Sequence, residues 1–375
     1  MDMSIIEKTK SLIANMNEDF AGNMLFALII IIIILSTVYF SYLLKSLSKA
    51  TLSSECSLLT LNGSIKSLNN ADPNCQLALR DYYIKSAYNC CSSGSYKNNF
   101  VSICALKNVL RQGVRGLDFE IYSVDQQPVV STSTENNYYI KETYNSISFD
   151  EVMSTIANYA FSNSTCPNPN DPIIFHFRFK SANQNMYQTL ADIFKQYDSY
   201  FLGPETSNEN SGKNIGNTLL LSLNKKIVVI VDKLNNSFMD NKDFFEYVNM
   251  TSNSIFMRAL NYYDVKNTPD LVELQEYNKP NMSISMPDAN QTYPENPSAI
   301  ICRETGCQMI SMMYQQNDIN LQENNAFFDK CGYAFCLKPE RLRYIPITIP
   351  DPIPQNPALS YATRTVKSDY YAFNI

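Results

Sequence analysis

The stretch SAYNC…GVRGLDFEIY…PVVSTST, Ser86 to Thr134, decides the fold. It is entered through YYIKSAYN, Tyr82 to Asn89, which reads as a strand. NNFVSICALKNVLRQ follows and places Phe100, Ile103, Leu106 and Leu110 on one face of a helix. GVRGLDFEIYS then alternates as a second strand, and PVV is a third short apolar run. The polar residues of the stretch fall where strands end, which is where an α/β barrel places its active site.

The same alternation continues downstream. Ser148-Phe-Asp-Glu151 reads as a capping box opening a helix whose buried face carries Phe149, Val152, Met153, Ile156 and Ala160. PIIFHFRF, Pro172 to Phe179, is a strand, and NQNMYQTLADIFKQY, Asn183 to Tyr197, an amphipathic helix. NKKIVVIVDKL, Asn224 to Leu234, has the continuous apolar core of a parallel strand buried on both faces. Strands alternating with helices predict an α/β fold, a TIM-type (β/α) barrel, over residues 78–343. A doubly wound sheet is the alternative, but no Gly-rich phosphate loop follows the first strand.

Upstream lies a polar tail, residues 1–23, and then MLFALIIIIIILSTVYFSYLL, Met24 to Leu44. At about 1.5 Å per residue, this uncharged run is long enough for a helix to cross a hydrocarbon core of roughly 30 Å. A secretory signal has a shorter apolar region and a basic start, whereas this tail is acidic. A single transmembrane helix is therefore expected, with residues 45–77 as a stalk or linker. Lys45 and Lys49 follow the span while Glu18 and Asp19 precede it, which puts the C-terminal body in the cytoplasm by the positive-inside rule. All ten cysteines and several N-x-S/T sequons, at Asn62, Asn163, Asn249, Asn281 and Asn290, lie after the span and argue for a lumenal or exterior body. The cysteines decide for the second. After Arg343, residues 344–375 open with YIPITIPDPIPQNP, too proline-rich for helix or central strand, so this tail should run extended.

Composition excludes several function classes. Hydrophobic residues make up 45% and aromatics 12%, which fits a globular core. The formal net charge is −6 and no basic run stands out, so there is no footprint for nucleic acid. A single histidine, His176, rules out any mechanism that needs two. The Asn-, Ile- and Tyr-rich composition suits an AT-rich genome, as of a protist or a large DNA virus.

From about Ile84 to Arg343 the chain resembles phosphoinositide-specific phospholipase C. SAYN, GVRGLDFEIY, PVV, FDEVMSTIANYAF and PIIFHFRF are similar to the X box. GCQMISMMYQQNDINLQENNAFFDKCGYAFCLKPERLR, Gly306 to Arg343, is similar to the end of the Y box. The resemblance implies a barrel built of X and Y halves with a short connection. It also implies cleavage of a phosphodiester by two histidines, with calcium on the substrate. The histidine positions fall on Tyr88 and Thr132, and the calcium-ligand positions on Asn89, Asp118, Glu120 and Arg178. Asn89 matches the family, and Asp118 and Glu120 exchange the two acids. Arg178 stands where a carboxylate belongs. The phosphate-binding lysines fall near Ile230 and Asp232, with Lys233 out of register, and the inositol-contacting Arg and Tyr on Ile284 and Met286.

An acid and a base each contribute roughly 10² to 10⁴ in rate, so losing both removes on the order of 5–11 kcal/mol if the effects add. Tyrosine, with an ordinary pKa near ~10, is a poor base, and threonine is no acid at neutral pH. The expected site is thus a remnant: Asn89, Asp118, Glu120, Arg178 and His176, with no intact catalytic pair and no metal or other cofactor, calcium having been lost. Arg178 either bridges Asp118 and Glu120 as an internal ion pair or turns outward to solvent. His176, two residues away on the same strand, shares its face. It reads as a satisfied core histidine, the alternative being a relocated acid or base. The expected function is a structural or recognition role at a membrane, with the lipid bilayer and another membrane or surface protein as partners. The alternatives are an active phosphodiesterase with a rearranged site using His176, Tyr88 or Asp118, and an adhesion surface. Cys307 and Cys331 sit where the family has cysteine and read as packing residues. Cys56, Cys75, Cys90, Cys91, Cys104, Cys166, Cys302 and Cys336 are left for disulfides of unassigned pairing. Zinc is disfavoured because no paired CxxC spacing occurs.

Overall fold

The computed structural model describes residues 7, 10, 18–57, 64–134, 140–208, 214–288, 295–346, 350–354, 356 and 362–375. Its strands are β1 (Tyr82–Ala87), β2 (Gly116–Val124), β3 (Gln127–Ser131), β4 (Ile147–Ser148), β5 (Ile173–Phe179), β6 (Ile227–Asp232), β7 (Met250–Ser252), β8 (Met257–Asn261), β9 (Met282–Met286), β10 (Met309–Met312) and β11 (Phe335–Leu337), with β12 (Thr365–Lys367) and β13 (Ala372–Asn374) in the tail. Parallel pairing runs in the order β7-β6-β5-β2-β1-β10-β9-β8. Because β1 is bonded to both β2 and β10, the sheet curls until its first strand lies beside its last. The two ends of that order, β7 and β8, are consecutive in the chain and joined by residues 253–256. The result is the nearly closed eight-stranded TIM-type barrel expected from the alternation. Off it, β3 pairs antiparallel with β2, β4 with β3, and β11 with β1.

Period two sorts the side chains into two cores. On β2, Leu117, Phe119 and Ile121 point outward and join Phe149, Val152 and Ile156 of the helix Phe149–Tyr159. Phe175, Phe177 and Phe179 of β5 enter the same layer. Inside the barrel, Ile84, Ile174, Val228, Ile230, Met282, Ile284 and Met309 fill the lumen. Each fully buried side chain of this kind contributes about 1.5–3 kcal/mol. The alternate positions of β2 and β5, Asp118, Glu120, His176 and Arg178, are left to face inward at the C-terminal end of the barrel, where the site forms.

Several expectations are corrected. The helix after β1 spans Ile103–Arg111, because Ser102 caps it by accepting from the Cys104 amide; Phe100 therefore precedes it. Ser148 stands at the N-cap of the next helix but its side chain makes no capping bond, since its backbone is held in β4 opposite Val129. The N-terminal helix runs from Glu18 to Ser57 and contains the expected span Met24–Leu44. Within it Gly22–Leu47 is long and apolar enough to cross a membrane, and every residue of that segment is exposed. In the tail β12 and β13, free of proline and carrying Thr365, Val366 and Phe373, form an antiparallel pair.

The cysteines also depart from expectation. Cys331, read as a packing residue, is disulfide-bonded to Cys336 across the turn at Gly332, whose φ of 80° suits glycine. Cys104 is disulfide-bonded, as expected. Cys75, Cys90, Cys91, Cys166, Cys302 and Cys307 are buried thiols instead. Cys166 Sγ lies 3.1 Å from the Leu110 carbonyl, and Cys302 Sγ lies 3.4 Å from Ser285 Oγ, so each is seated in its own surroundings. The side chain of Cys56 and the sequons at Asn62 and Asn290 lie outside the described residues.

Candidate functional site

The chain leaves β1 through Tyr88 and turns at Asn89, whose φ of 45° is a left-handed conformation that asparagine tolerates. That turn brings the Asn89 amide to Asp118 Oδ2 (3.1 Å) and the Cys90 amide to the Asp118 carbonyl (3.1 Å). Register does the rest. Parallel pairing sets Asp118 beside His176 and Glu120 beside Arg178 across β2 and β5.

Arg178 occupies the centre. Its Nε donates to Asp118 Oδ1 (3.0 Å), and Nη2 donates to Asp118 Oδ2 (2.8 Å) and Asn89 Oδ1 (3.0 Å). Nη1 donates to Glu120 Oε1 (2.6 Å). The aromatic face of Tyr88 covers the guanidinium, with the ring centroid 4.4 Å from Cζ, a cation–π arrangement. Only 4% of Arg178 is exposed, and 1% each of Asp118 and Glu120. Burial pushes the Asp118 carboxyl upward, but the Arg178 charge and the hydrogen bonds from His176 and Arg178 outweigh it and hold the group well below the usual carboxylate range. Burial likewise works against the charged guanidinium, and Asp118, Tyr88 and Glu120 override it, so Arg178 stays cationic. The Tyr88 hydroxyl is pushed upward by burial, with Arg178 opposing.

His176 shares the inward face with Arg178, as the spacing requires. Its Nδ1 lies 2.7 Å from Asp118 Oδ1 and its Nε2 2.9 Å from Ser252 Oγ. An ionised carboxylate only accepts, so Nδ1–H is the donor to Asp118. Aspartate, histidine and serine in this order have the connectivity of a nucleophile relay. Neither His176 nor Ser252 exposes any surface, however, and both ring nitrogens are engaged. Thr132 lies beside the cluster without joining it: its hydroxyl donates to the Tyr96 carbonyl (2.9 Å). Its neighbour Ser133 instead donates an amide to Glu120 Oε2 (3.0 Å).

Besides Ser133, three participants are absent from the expected site. Tyr122 donates its hydroxyl to Glu120 Oε2 (2.8 Å), and buried Lys180 has its ammonium pKa lowered by burial, with Glu120 opposing. Both follow from period two, Tyr122 from Glu120 and Lys180 from Arg178, so the signal was present. Ser252 arrives from another strand and carries no such signal. At the positions expected to correspond to the family's phosphate- and inositol-binding residues, Ile230, Ile284 and Met286 are buried in the barrel's apolar lumen. Asp232 accepts from Asn253 Nδ2 (2.7 Å), and Lys233 is exposed. Beside Tyr88 and Asn89 is a cavity of about 140 Å³, lined by Ser92, Asn108, Tyr314 and Gln315 among others. Ligand pockets ordinarily measure about 300–1,000 Å³.

Comparison with known proteins agrees with the fold. The family model for Phosphatidylinositol-specific phospholipase C, X domain, matches residues 75–233, and that for the Y domain matches residues 226–341. Among solved structures, PLC21 of L. pealei is similar at 19% identity with a TM-score of 0.57, over 72% of this chain and 38% of that one. PLC21 of S. officinalis is similar at 19% identity with a TM-score of 0.54, over 76% of this chain and 40% of that one. The chain thus spans about two fifths of the length of these relatives. No curated protein sequence matches it. With X and Y domains in order on one eight-stranded barrel, the chain belongs to the phosphoinositide-specific phospholipase C family.

Proposed function

We propose that this is a membrane-anchored, phospholipase-C-like protein that does not cleave phosphodiesters and serves a structural or recognition role at a membrane. The observation that carries the reading is the Arg178 fork. Asn89 Oδ1, Asp118 Oδ2 and Glu120 Oε1, the oxygens a calcium ion would need, each accept a hydrogen bond from the guanidinium. The fourth ligand position is the guanidinium itself. A divalent ion entering this set would meet a buried positive charge within contact distance, so the residues do not fit calcium. Tyr88 and Thr132 at the histidine positions supply no proton shuttle near neutral pH. The apolar segment Gly22–Leu47 serves as the anchor, and the bilayer is the first partner. The disulfide between Cys331 and Cys336 supports a barrel on the lumenal or exterior side, where a second membrane or surface protein is the expected partner.

One observation favours a second reading, an active phosphodiesterase with a rearranged site: His176 is linked to both Asp118 and Ser252. The two readings separate in one assay. Purified full-length chain, reconstituted with phosphatidylinositol-containing vesicles, is expected to release no inositol phosphate above the protein-free background, with or without calcium. Calcium-dependent release that disappears in Asp118→Asn or His176→Ala would sink the proposal in favour of the enzyme.

A further inference from the structure

We infer that Asn163 is an attachment site for an N-linked oligosaccharide, and that the barrel wears this carbohydrate at the end opposite its mouth. The inference rests on the lumenal or exterior placement proposed above. Asn-Ser-Thr at Asn163–Thr165 is one of four sequons on described residues, with Asn235, Asn249 and Asn281. The folded chain treats the four very differently.

Asn249 is 1% exposed; its Oδ1 accepts from the Val229 amide (2.8 Å), which ties β7 to β6. A sugar on its Nδ2 would have to displace the Thr206 backbone 3.5 Å away. Asn235 donates Nδ2 to the carbonyls of Phe179 (3.2 Å) and Ser181 (2.9 Å) and accepts at Oδ1 from the Ser237 amide (3.0 Å). Asn281 is half-buried against Asn214. A glycan added to Asn249 or Asn235 before folding would break these bonds, so chains that fold are those that escaped it.

Asn163 has none of these commitments. It is exposed, in the turn between the helix Phe149–Tyr159 and β5, and among the described residues no hydrogen bond engages its amide. The turn holds itself together without it: Ser162 Oγ and Ser164 Oγ lie 3.0 Å apart, the Thr165 hydroxyl donates to the Tyr159 carbonyl (2.7 Å), and the Cys166 amide donates to the Ser162 carbonyl (3.1 Å). A substituent on Nδ2 therefore projects into solvent at no cost to the fold, whether added before or after folding. The turn feeds the N-terminal end of β5, whereas Asp118, Glu120 and Arg178 gather at the C-terminal end. Carbohydrate here leaves the mouth uncovered, while at Asn235, in the loop after β6, it would sit over it.

The transfer needs a lipid-pyrophosphate-linked oligosaccharide as donor. The Asn163 amide nitrogen attacks the anomeric carbon and a new N–C bond forms. The C–O bond to the pyrophosphate breaks, the amide proton goes to a base of the transferase, and the lipid pyrophosphate leaves with the electron pair.

The test uses the full chain made in the presence of sealed microsomes, read in two ways. Added protease reports which side the barrel is on. Digestion with a peptide–N-glycosidase, followed by mass spectrometry, reports conversion of Asn163 to aspartate, and Asn163→Gln should lose one glycan step on a gel with its melting temperature unchanged. A protected barrel with Asn163 converted and Asn249 untouched is the expected result. A protected barrel with Asn163 unmodified overturns this inference and leaves the placement standing. A barrel open to protease overturns the placement and the inference with it.

Discussion

Arg178→Met is expected to destabilise the barrel by about 3–5 kcal/mol at neutral pH, the usual cost of stripping one partner from a buried ion pair. The substitution keeps an unbranched chain of similar reach but leaves Asp118 and Glu120, each 1% exposed, without the guanidinium that bridges them. The pH dependence identifies the cause. In the parent chain the folded-state pKa of Asp118 is depressed, so its contribution is fully present above the unfolded value near ~3.9 and is lost as pH falls below it. Without Arg178, burial dominates and the same carboxyl is raised, so the folded state binds the extra proton and gains stability as pH falls from neutral toward ~4. Urea unfolding at pH 7 and pH 5 should show the variant narrowing its deficit at the lower pH. A constant deficit would mean the loss is one of packing alone. Arg178→Lys should also fail to rescue, because one ammonium cannot reproduce a planar fork bonded to Asp118, Glu120 and Asn89 at once.

Phe149→Ala is expected to cost about 3–5 kcal/mol, the range for truncating a fully buried aromatic residue. Phe149 has no exposed surface, and its ring contacts Phe177 (centroids 5.4 Å apart), Phe194 (6.0 Å), Phe119 (6.2 Å) and Phe175 (6.5 Å). Edge-on contacts of this kind contribute beyond their area. The residue seats the helix Phe149–Tyr159 on the outer faces of β2 and β5, whose inner faces hold the ion cluster. Thermal or urea unfolding measures the loss. A cost under about 1.5 kcal/mol would mean that the layer collapses onto the gap or that Phe149 is not its keystone.

Much of this was legible in the residues because strand period is a strong geometric rule. GLDFEIY and IIFHFRF each alternate, so Asp118, Glu120, His176 and Arg178 had to share the barrel interior once both runs were strands. Applied further along, the rule would have added Tyr122 on β2 and Lys180 just past the end of β5. What could not be read was contact between elements distant in sequence. Ser252 reaches His176 from β7, and Thr132 turns to the Tyr96 carbonyl, neither of which any local pattern signals. Capping failed for a related reason: Ser148 has the right neighbours for a capping box, but tertiary pairing in β4 holds it elsewhere. The cysteines misled because parity says nothing of burial, and most of them pack as small apolar side chains.

Calcium binding by the parent chain and by Arg178→Glu, measured by isothermal titration calorimetry alongside the shift in melting temperature, decides whether the guanidinium has taken the metal's place. Glutamate restores a carboxylate at the position the guanidinium fills. The parent is expected to show no saturable calcium binding at millimolar concentrations. Arg178→Glu is expected to be unstable without calcium and to be raised in melting temperature by it. Sub-millimolar calcium binding by the parent chain, abolished by Asp118→Asn, would contradict this expectation.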